Sequence, residues 1–410
     1  MVPIICASAT LLAVFPPFGV PGFVFALAGA VLLVISGLSP LAAALVGVAR
    51  SIDVCCFLAG MMLLAELCRQ EGVFAWLAGH AARLARGSAP RLFTLVFLVG
   101  VVVTALLSND ATVVVLTPAV AAIARACGMV QPAPLLFACA FVANAASFLL
   151  PIANPANLVL YGRQMPSLAA WLPPFLLPSL VALAATYLVL RLAQRRALAR
   201  ALAPVTSRPR LSRTGQIAAL GTLGAVALML GFSAHAQPFG PPTLAAALFT
   251  ALVVWLISTV PPARTVRHIS WGVLPLVVGL FVMVAALDGT GLTHRLAADL
   301  AHLAATSQAG AVAATGVLAA IACNIGNNLP VGLLTGQILA APFAHKIREA
   351  ALIGVDLGPN LSVAGSLATI LWLGSLKRDG IAISAGQFLR LGLLVTPPAL
   401  LLALATLWLA

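Results

Sequence analysis

Charge is scarce in this chain: 8% of its 410 residues are Asp, Glu, Lys or Arg, and only nine are acidic. With 62% hydrophobic residues and a mean hydropathy of +1.12, that scarcity excludes a soluble fold, because hydrocarbon must solvate most of the surface. The apolar runs also lack the two-residue alternation of barrel strands. Helices are then the spans that satisfy their backbone in lipid. The seven cysteines show no CxxC spacing and sit in apolar surroundings, so they imply neither disulfides nor a zinc site. No metal-ligand spacing, Walker A glycine-lysine motif, catalytic triad or nucleotide fingerprint occurs, so neither an enzyme nor a bound cofactor or metal is expected. The net charge of +13 does not point to nucleic acid, because the Arg residues sit in short loops between apolar runs. The amino terminus has no basic region ahead of its apolar run and no cleavage pattern, and reads as a retained first helix.

Apolar stretches of about 20 residues, each long enough for a ~30 Å hydrocarbon core, recur along the whole chain. Spans are expected near 3–19, 22–48 and 52–68, followed by an amphipathic segment 72–86, a unit 92–125, an interrupted span 133–162 and a span 168–191. A second half repeats the order: 215–233, 243–260 and 270–287, an amphipathic segment 291–303, a unit 309–344, an interrupted span 350–376 and a span 387–409. The halves divide as residues 1–193 and 215–410, joined by a basic linker over 194–214. Each amphipathic segment suits a helix in the interface that links a transport domain to a scaffold domain.

The unit 92–125 would be about 50 Å long as one helix, yet it is polar in the middle at Ser108-Asn109-Asp110. It must turn back there. Each leg is short for a full crossing, which predicts a re-entrant hairpin, and 309–344 repeats this around Asn324, Asn327 and Asn328. Five crossings per half then invert the second half relative to the first. With the amino terminus outside, 17 of the 22 basic residues fall on the cytoplasmic side and five (Arg50, Arg163, Arg295, Lys346 and Arg348) outside. The expected fold is an all-α polytopic membrane protein, an inverted-repeat transporter with two re-entrant hairpins and two broken helices.

Four polar clusters interrupt the apolar pattern, two per half: Ser108 to Asp110; Asn144 and Ser147 leading to Asn154 and Asn157; Asn324 to Pro330; and Asp356 through Asn360 and Ser362 to Ser366 and Thr369. Broken backbone is tolerated in a membrane where it lines a cavity, so the clusters are expected to converge on one site. Candidate substrate-binding residues are Ser108, Asn109, Asn154, Asn157, Asn324, Asn327, Asn328, Ser366 and Thr369. Asp110 and Asp356 are the candidate proton carriers, since an ionisable group deep in a membrane is a functional candidate by default. Asp53 beside Arg50 and Glu66 beside Arg69 read as interfacial ion pairs, and the six histidines as loop or helix-end residues.

At these clusters the sequence resembles the arsenite efflux permeases of the ion transporter superfamily, over nearly the whole chain. The resemblance is carried by Cys323-Asn324-Ile325-Gly326-Asn327-Asn328-Leu329-Pro330, by Gly354-Val355-Asp356-Leu357-Gly358-Pro359 running on to Trp372, and by Ser108-Asn109-Asp110-Ala111 to Pro118. It implies a bacterial inner-membrane secondary transporter that exports arsenite and antimonite in exchange for protons. Some members also dock a soluble arsenite-stimulated ATPase; that partner and a homodimer stay open. Where the family commonly has an acidic residue this chain has Asn144, and where it has a lysine, Asn360. Arsenite at neutral pH is an uncharged trihydroxide, which needs hydrogen-bond donors and acceptors rather than a charge clamp. A sodium/proton antiporter or an anion carrier of the same superfamily is the alternative.

Overall fold

The computed structural model describes residues 1–409 apart from 206–207, 259–260 and 341–342, with the side chain of residue 163 also outside that set. The described residues form helices and one isolated bridge, Ser88 to Ala201. The first half comprises α1 (Val2–Val14), α2 (Gly22–Ile35), α3 (Leu41–Gln70), α4 (Val73–Ala85), α5 (Ala89–Leu106), a π turn (Ala111–Leu116) running into α6 (Thr117–Ala126), α7 (Ala133–Ala145), α8 (Pro155–Tyr161) and α9 (Leu168–Ala193). The second comprises α10 (Arg213–Ala234), α11 (Gly240–Ile257), α12 (Pro262–His268), α13 (Val273–Asp288), α14 (Leu292–Thr306), α15 (Gln308–Gly326), α16 (Asn328–Ile338), α17 (His345–Leu357), α18 (Leu367–Arg378) and α19 (Ala385–Leu409).

Local sequence accounts for many of these boundaries. Ser88, Ser167, Ser212 and Ser307 each cap a helix by accepting a hydrogen bond from a backbone N–H three residues on. Gly72 and Gly291, both left-handed, turn the chain sharply into the amphipathic helices α4 and α14. α12 and α13 follow one another across a short break with a 43° bend. Among the described residues, seven helices are long and apolar enough to cross a membrane, or eight if that bent pair counts as one. Large apolar side chains such as Leu220, Phe249, Leu252 and Leu256 stand exposed while Asn, Ser and Thr are buried, the distribution expected when lipid is the solvent.

Two packed groups result. α1, α2, α3, α10, α11 and α13 form one bundle, and α5 to α9 with α15 to α19 form another, α9 lying against α19. The amphipathic helices touch both: α4 packs on α3 and α10 as well as on α5 and α6, and α14 packs on α13, α15 and α16. At one end the linker crosses the first half, where Leu202 N–H bonds Gly87 O (2.8 Å) and Ala203 N–H bonds Cys127 O (3.0 Å).

Some expected boundaries move. The break expected near 48–52 lies at 36–40, where Gly37 has φ 70° and Pro40 starts α3, and the first span stops at Val14 before a turn at Pro17. Arg50 and Asp53 therefore lie inside a continuous 30-residue helix. Asp53 is not paired with Arg50: its Oδ1 accepts from Gly240 N–H at 3.0 Å, at the start of α11. The ion pair expected between Glu66 and Arg69 is present, with bonds of 2.6 and 2.5 Å. The end of the expected span 243–260, and residues 341–342 within the expected unit 309–344, lie outside the described residues.

Candidate functional site

The first tip forms because Ser108 and Asn109 offer the backbone alternatives to a continuing helix. Ser108 Oγ accepts from Ala111 N–H (3.1 Å) and Asn109 Oδ1 from Asp110 N–H (2.9 Å). The hydroxyls of Thr104 and Thr112 then meet at 2.7 Å. In a straight helix residues eight apart are about 12 Å apart, so the chain has reversed over 107–110. At the second tip Asn327 has φ 70° and ψ 153°, a region that side-chain-bearing residues rarely adopt. Its own amide holds it there: Oδ1 accepts from Leu329 N–H (3.4 Å) and Nδ2 donates to Ala364 O (3.3 Å).

Each interrupted helix breaks beside a tip. In the first, Asn154 closes the break over 146–154 and caps α8 through Ala156 N–H (3.0 Å), and Asn109 N–H donates to Ala153 O (3.0 Å). Asn157 Nδ2 donates to the carbonyls of Ser147, Leu150 and Pro151, so its amide holds the break while Oδ1 stays unbonded. In the second break, over 358–366, Asn324 Nδ2 donates to Gly358 O (2.9 Å) and to Ala320 O (2.8 Å), and Asn324 Oδ1 accepts from Ser362 Oγ (2.7 Å). This break lies directly on α15: a Cβ at Gly354 would stand 2.1 Å from Gly316 O, and one at Gly358 2.5 Å from Ala320 Cα.

The two halves meet at the breaks. Asn154 Nδ2 donates to Asp356 Oδ1 at 2.7 Å, and Asn144 Nδ2 to Asn360 Oδ1 at 3.0 Å, while Asn360 Nδ2 reaches Phe141 O (3.0 Å). The π turn after the first tip packs on α18, and α16 after the second packs on α8. Asp356 and Thr369 are fully buried, and Asp356 Oδ2, Thr369 Oγ1 and Asn144 Oδ1 make no hydrogen bond among the described residues. Asn328 and Ser366 are buried and make no side-chain hydrogen bond among the described residues. Asp110 differs from Asp356: half-exposed and without a side-chain partner among the described residues, it lines a cleft of about 80 Å³.

The sequence candidates thus gather at two tips and two breaks, but their bonds divide them. Asn154 and Asp356 join the halves, Asn324 and Asn327 fasten the second tip to the second break, and Ser108 shapes the first tip. The Asn144–Asn360 pair and Ser362 were not among the candidates, although a signal for the first exists. Asp356, Ser366 and Thr369 each lie 212 positions after Asn144, Asn154 and Asn157, which marks Asn144 as the counterpart of the buried acid. Cys323 is fully buried, with Sγ 3.7 Å from Val355 O, as a packing residue.

The citrate transporter family profile, CitMHS, matches residues 10–357. The arsenical pump membrane protein of Escherichia coli K12 is 31% identical over 369 residues, covering 85% of this chain and 84% of its own. That of Yersinia enterocolitica is 31% identical over 366 residues with the same coverage. An uncharacterized transporter of Mycobacterium tuberculosis, Rv2684, is 29% identical over 381 residues, 87% of this chain and 86% of its own. In fold the chain is similar to the YdaH transporter of Alcanivorax borkumensis, with a TM-score of 0.62 at 17% identity over 92% of this chain and 89% of that one. It is also similar to Neisseria gonorrhoeae MtrF, with a TM-score of 0.53 at 13% identity over 92% and 84%. The protein is therefore a multi-pass membrane transporter rather than an enzyme, and the chain belongs to the family of citrate transporters and arsenical pump membrane proteins, CitMHS, within the ion transporter superfamily.

Proposed function

We propose that this secondary transporter exports arsenite, and with it antimonite, across the bacterial inner membrane in exchange for protons. The observation that carries the reading is that amides, hydroxyls and backbone groups make the bonds of the polar core. Its bonds are made by Asn, Ser and backbone groups with two carboxyls, and among the described residues no Arg or Lys side chain bonds to any of them. Such a site can satisfy the hydroxyls of a neutral solute without the cost of stripping water from an ion. Relatives named as arsenical pumps support the same substrate. Asn109, Asn154, Asn157, Asn328, Ser366 and Thr369 then supply substrate contacts, Ser108, Asn324 and Asn327 hold the tips that frame them, and Asp110 and Asp356 carry the protons.

Transport follows from the two packed groups. The tips and broken helices form re-entrant hairpins and discontinuous spans of two inverted repeats, and the group that carries them moves against the α1–α3 and α10–α13 bundle. A cavity of about 530 Å³ separates the groups near Arg50, Tyr161, Phe281, Gln337 and Arg348, against the cleft of about 80 Å³ beside Asp110 at the other end. This supports an outward-open arrangement, with Arg50 and Arg348 at the outer end. At the inner end Arg125 and Arg390 line a cavity of about 710 Å³, which lies within the second group rather than between the two. The topology is tested by tagging single cysteines in a background without native ones. The linker around Arg200 should label from the cytoplasm and the 235–239 loop from outside. Labelling of both from one side overturns the inverted arrangement.

The family profile's description as a citrate transporter favours a second reading, an anion carrier. Proton flux in inverted vesicles separates the two. Arsenite or antimonite should dissipate an imposed pH gradient, cells should accumulate less arsenite than controls, and citrate, sodium and lithium should have no effect. A response to citrate or sodium alone, with cellular arsenite unchanged, would move the assignment.

A further inference from the structure

The cleft beside Asp110 contains two more titratable groups that the functional reading leaves unused. Its walls include Ser108 and Asp110 from the first tip, Glu66 and Met62 from α3, and His268 and Ser270 where α12 ends. At about 80 Å³ it has room for a short chain of waters. Glu66 is the fixed member of the group: buried, it accepts from Arg69 Nε and an Arg69 terminal nitrogen at 2.6 and 2.5 Å and from Gln70 Nε2 at 2.7 Å. Three such bonds hold the Glu66 carboxyl in one place. His268 is the exposed member. Its side chain is 52% exposed, and its Nδ1 lies 2.6 Å from Arg264 O and 4.0 Å from Glu66 Oε1. With the Nδ1 proton directed at that carbonyl, Nε2 of the neutral ring keeps a free lone pair.

We propose that His268 is the proton-relay residue between Asp110 and the cytoplasm, with Glu66 as the fixed counter-charge that stabilises its protonated state; this rests on the arsenite/proton reading. The protonated Asp110 carboxyl, arriving from the outward-facing state, gives its proton through cleft water to His268 Nε2. The acid becomes a carboxylate and the ring an imidazolium beside Glu66. The imidazolium then passes the proton to cytoplasmic water, which restores the neutral ring. The charged groups around the ring are Glu66 and Arg69, with Glu71 one turn on, from α3; Asp110 across the cleft; and Arg264 and Arg267 on its own helix. Arg69 is bound to Glu66, and Glu71 accepts from Thr214 and Ser258, which leaves Glu66 as the acid nearest the ring.

The test measures arsenite-driven proton flux in inverted vesicles, whose cytoplasmic face is outward. His268→Ala and His268→Gln should reach the membrane normally and lose flux by roughly tenfold at neutral pH. Imidazole in the bath should restore His268→Ala, into whose vacated space it fits, and leave the parent unchanged. A merely structural role for His268 predicts a slow variant that imidazole does not rescue, and that result overturns the relay. Variants within twofold of the parent overturn it as well. A parent protein with no arsenite-driven flux overturns the functional reading itself, a result distinct from either.

Discussion

Asp356→Asn is expected to abolish proton-coupled transport, by roughly a hundredfold or more, while leaving membrane abundance within about twofold of the parent. The asymmetry follows from the bonds the carboxyl makes. Its Oδ1 accepts from Asn154 Nδ2 at 2.7 Å, a bond that an asparagine carbonyl can also accept, and its Oδ2 has no partner to lose among the described residues. The replacement therefore preserves the link between the two broken helices and removes only the ability to gain and lose a proton. Asp356→Ala is different: it leaves the Asn154 amide unsatisfied in a buried site and should lower abundance as well. Transport by Asp356→Asn at the parent's rate and pH dependence would show that the residue does not carry the proton.

The polar clusters were legible because polarity inside an apolar run is costly and therefore marks a turn or a site. Ser108 to Asp110 and Asn324 to Asn328 disclosed both tips, and the tips fall at 107–110 and at Asn327. The same rule misled at Arg50 and Asp53. There the helix runs on, because Asp53 is satisfied by the backbone of Gly240, far away in sequence, and nothing local reports that partner. Partners across the halves were illegible for the same reason. Asn144 and Asn360 lie 216 residues apart and meet because the two broken helices cross, a consequence of packing rather than of spacing. His268 read as a helix-end residue because its neighbours Glu66 and Asp110 come from α3 and the first tip.

That pairing gives the two departures from the arsenite permease pattern one explanation. Where the resemblance implies an acid at 144 and a lysine at 360, this chain places two amides in contact at 3.0 Å. The expected behaviour of the reverse exchange follows. Asn144→Asp alone buries a carboxylate against the Asn360 Oδ1 that now accepts a hydrogen bond, and an uncompensated buried charge costs about 3–5 kcal/mol. Its melting temperature in detergent and its membrane abundance should fall sharply. Asn360→Lys alone places an ammonium one turn beyond Asp356, with the nearest excess negative charge on that acid. This variant should fold better than the first and still fail to transport, because a lysine paired with Asp356 holds it ionised. The double variant lets the lysine pair with Asp at 144 instead, releasing Asp356. Stability should return to within about 1 kcal/mol of the parent and transport should recover at least partly, giving a coupling energy of at least roughly 2 kcal/mol in the cycle. A double variant no more stable than its weaker parent, and no more active than Asn360→Lys, would mean that the 3.0 Å contact between the amides does not govern what either position tolerates.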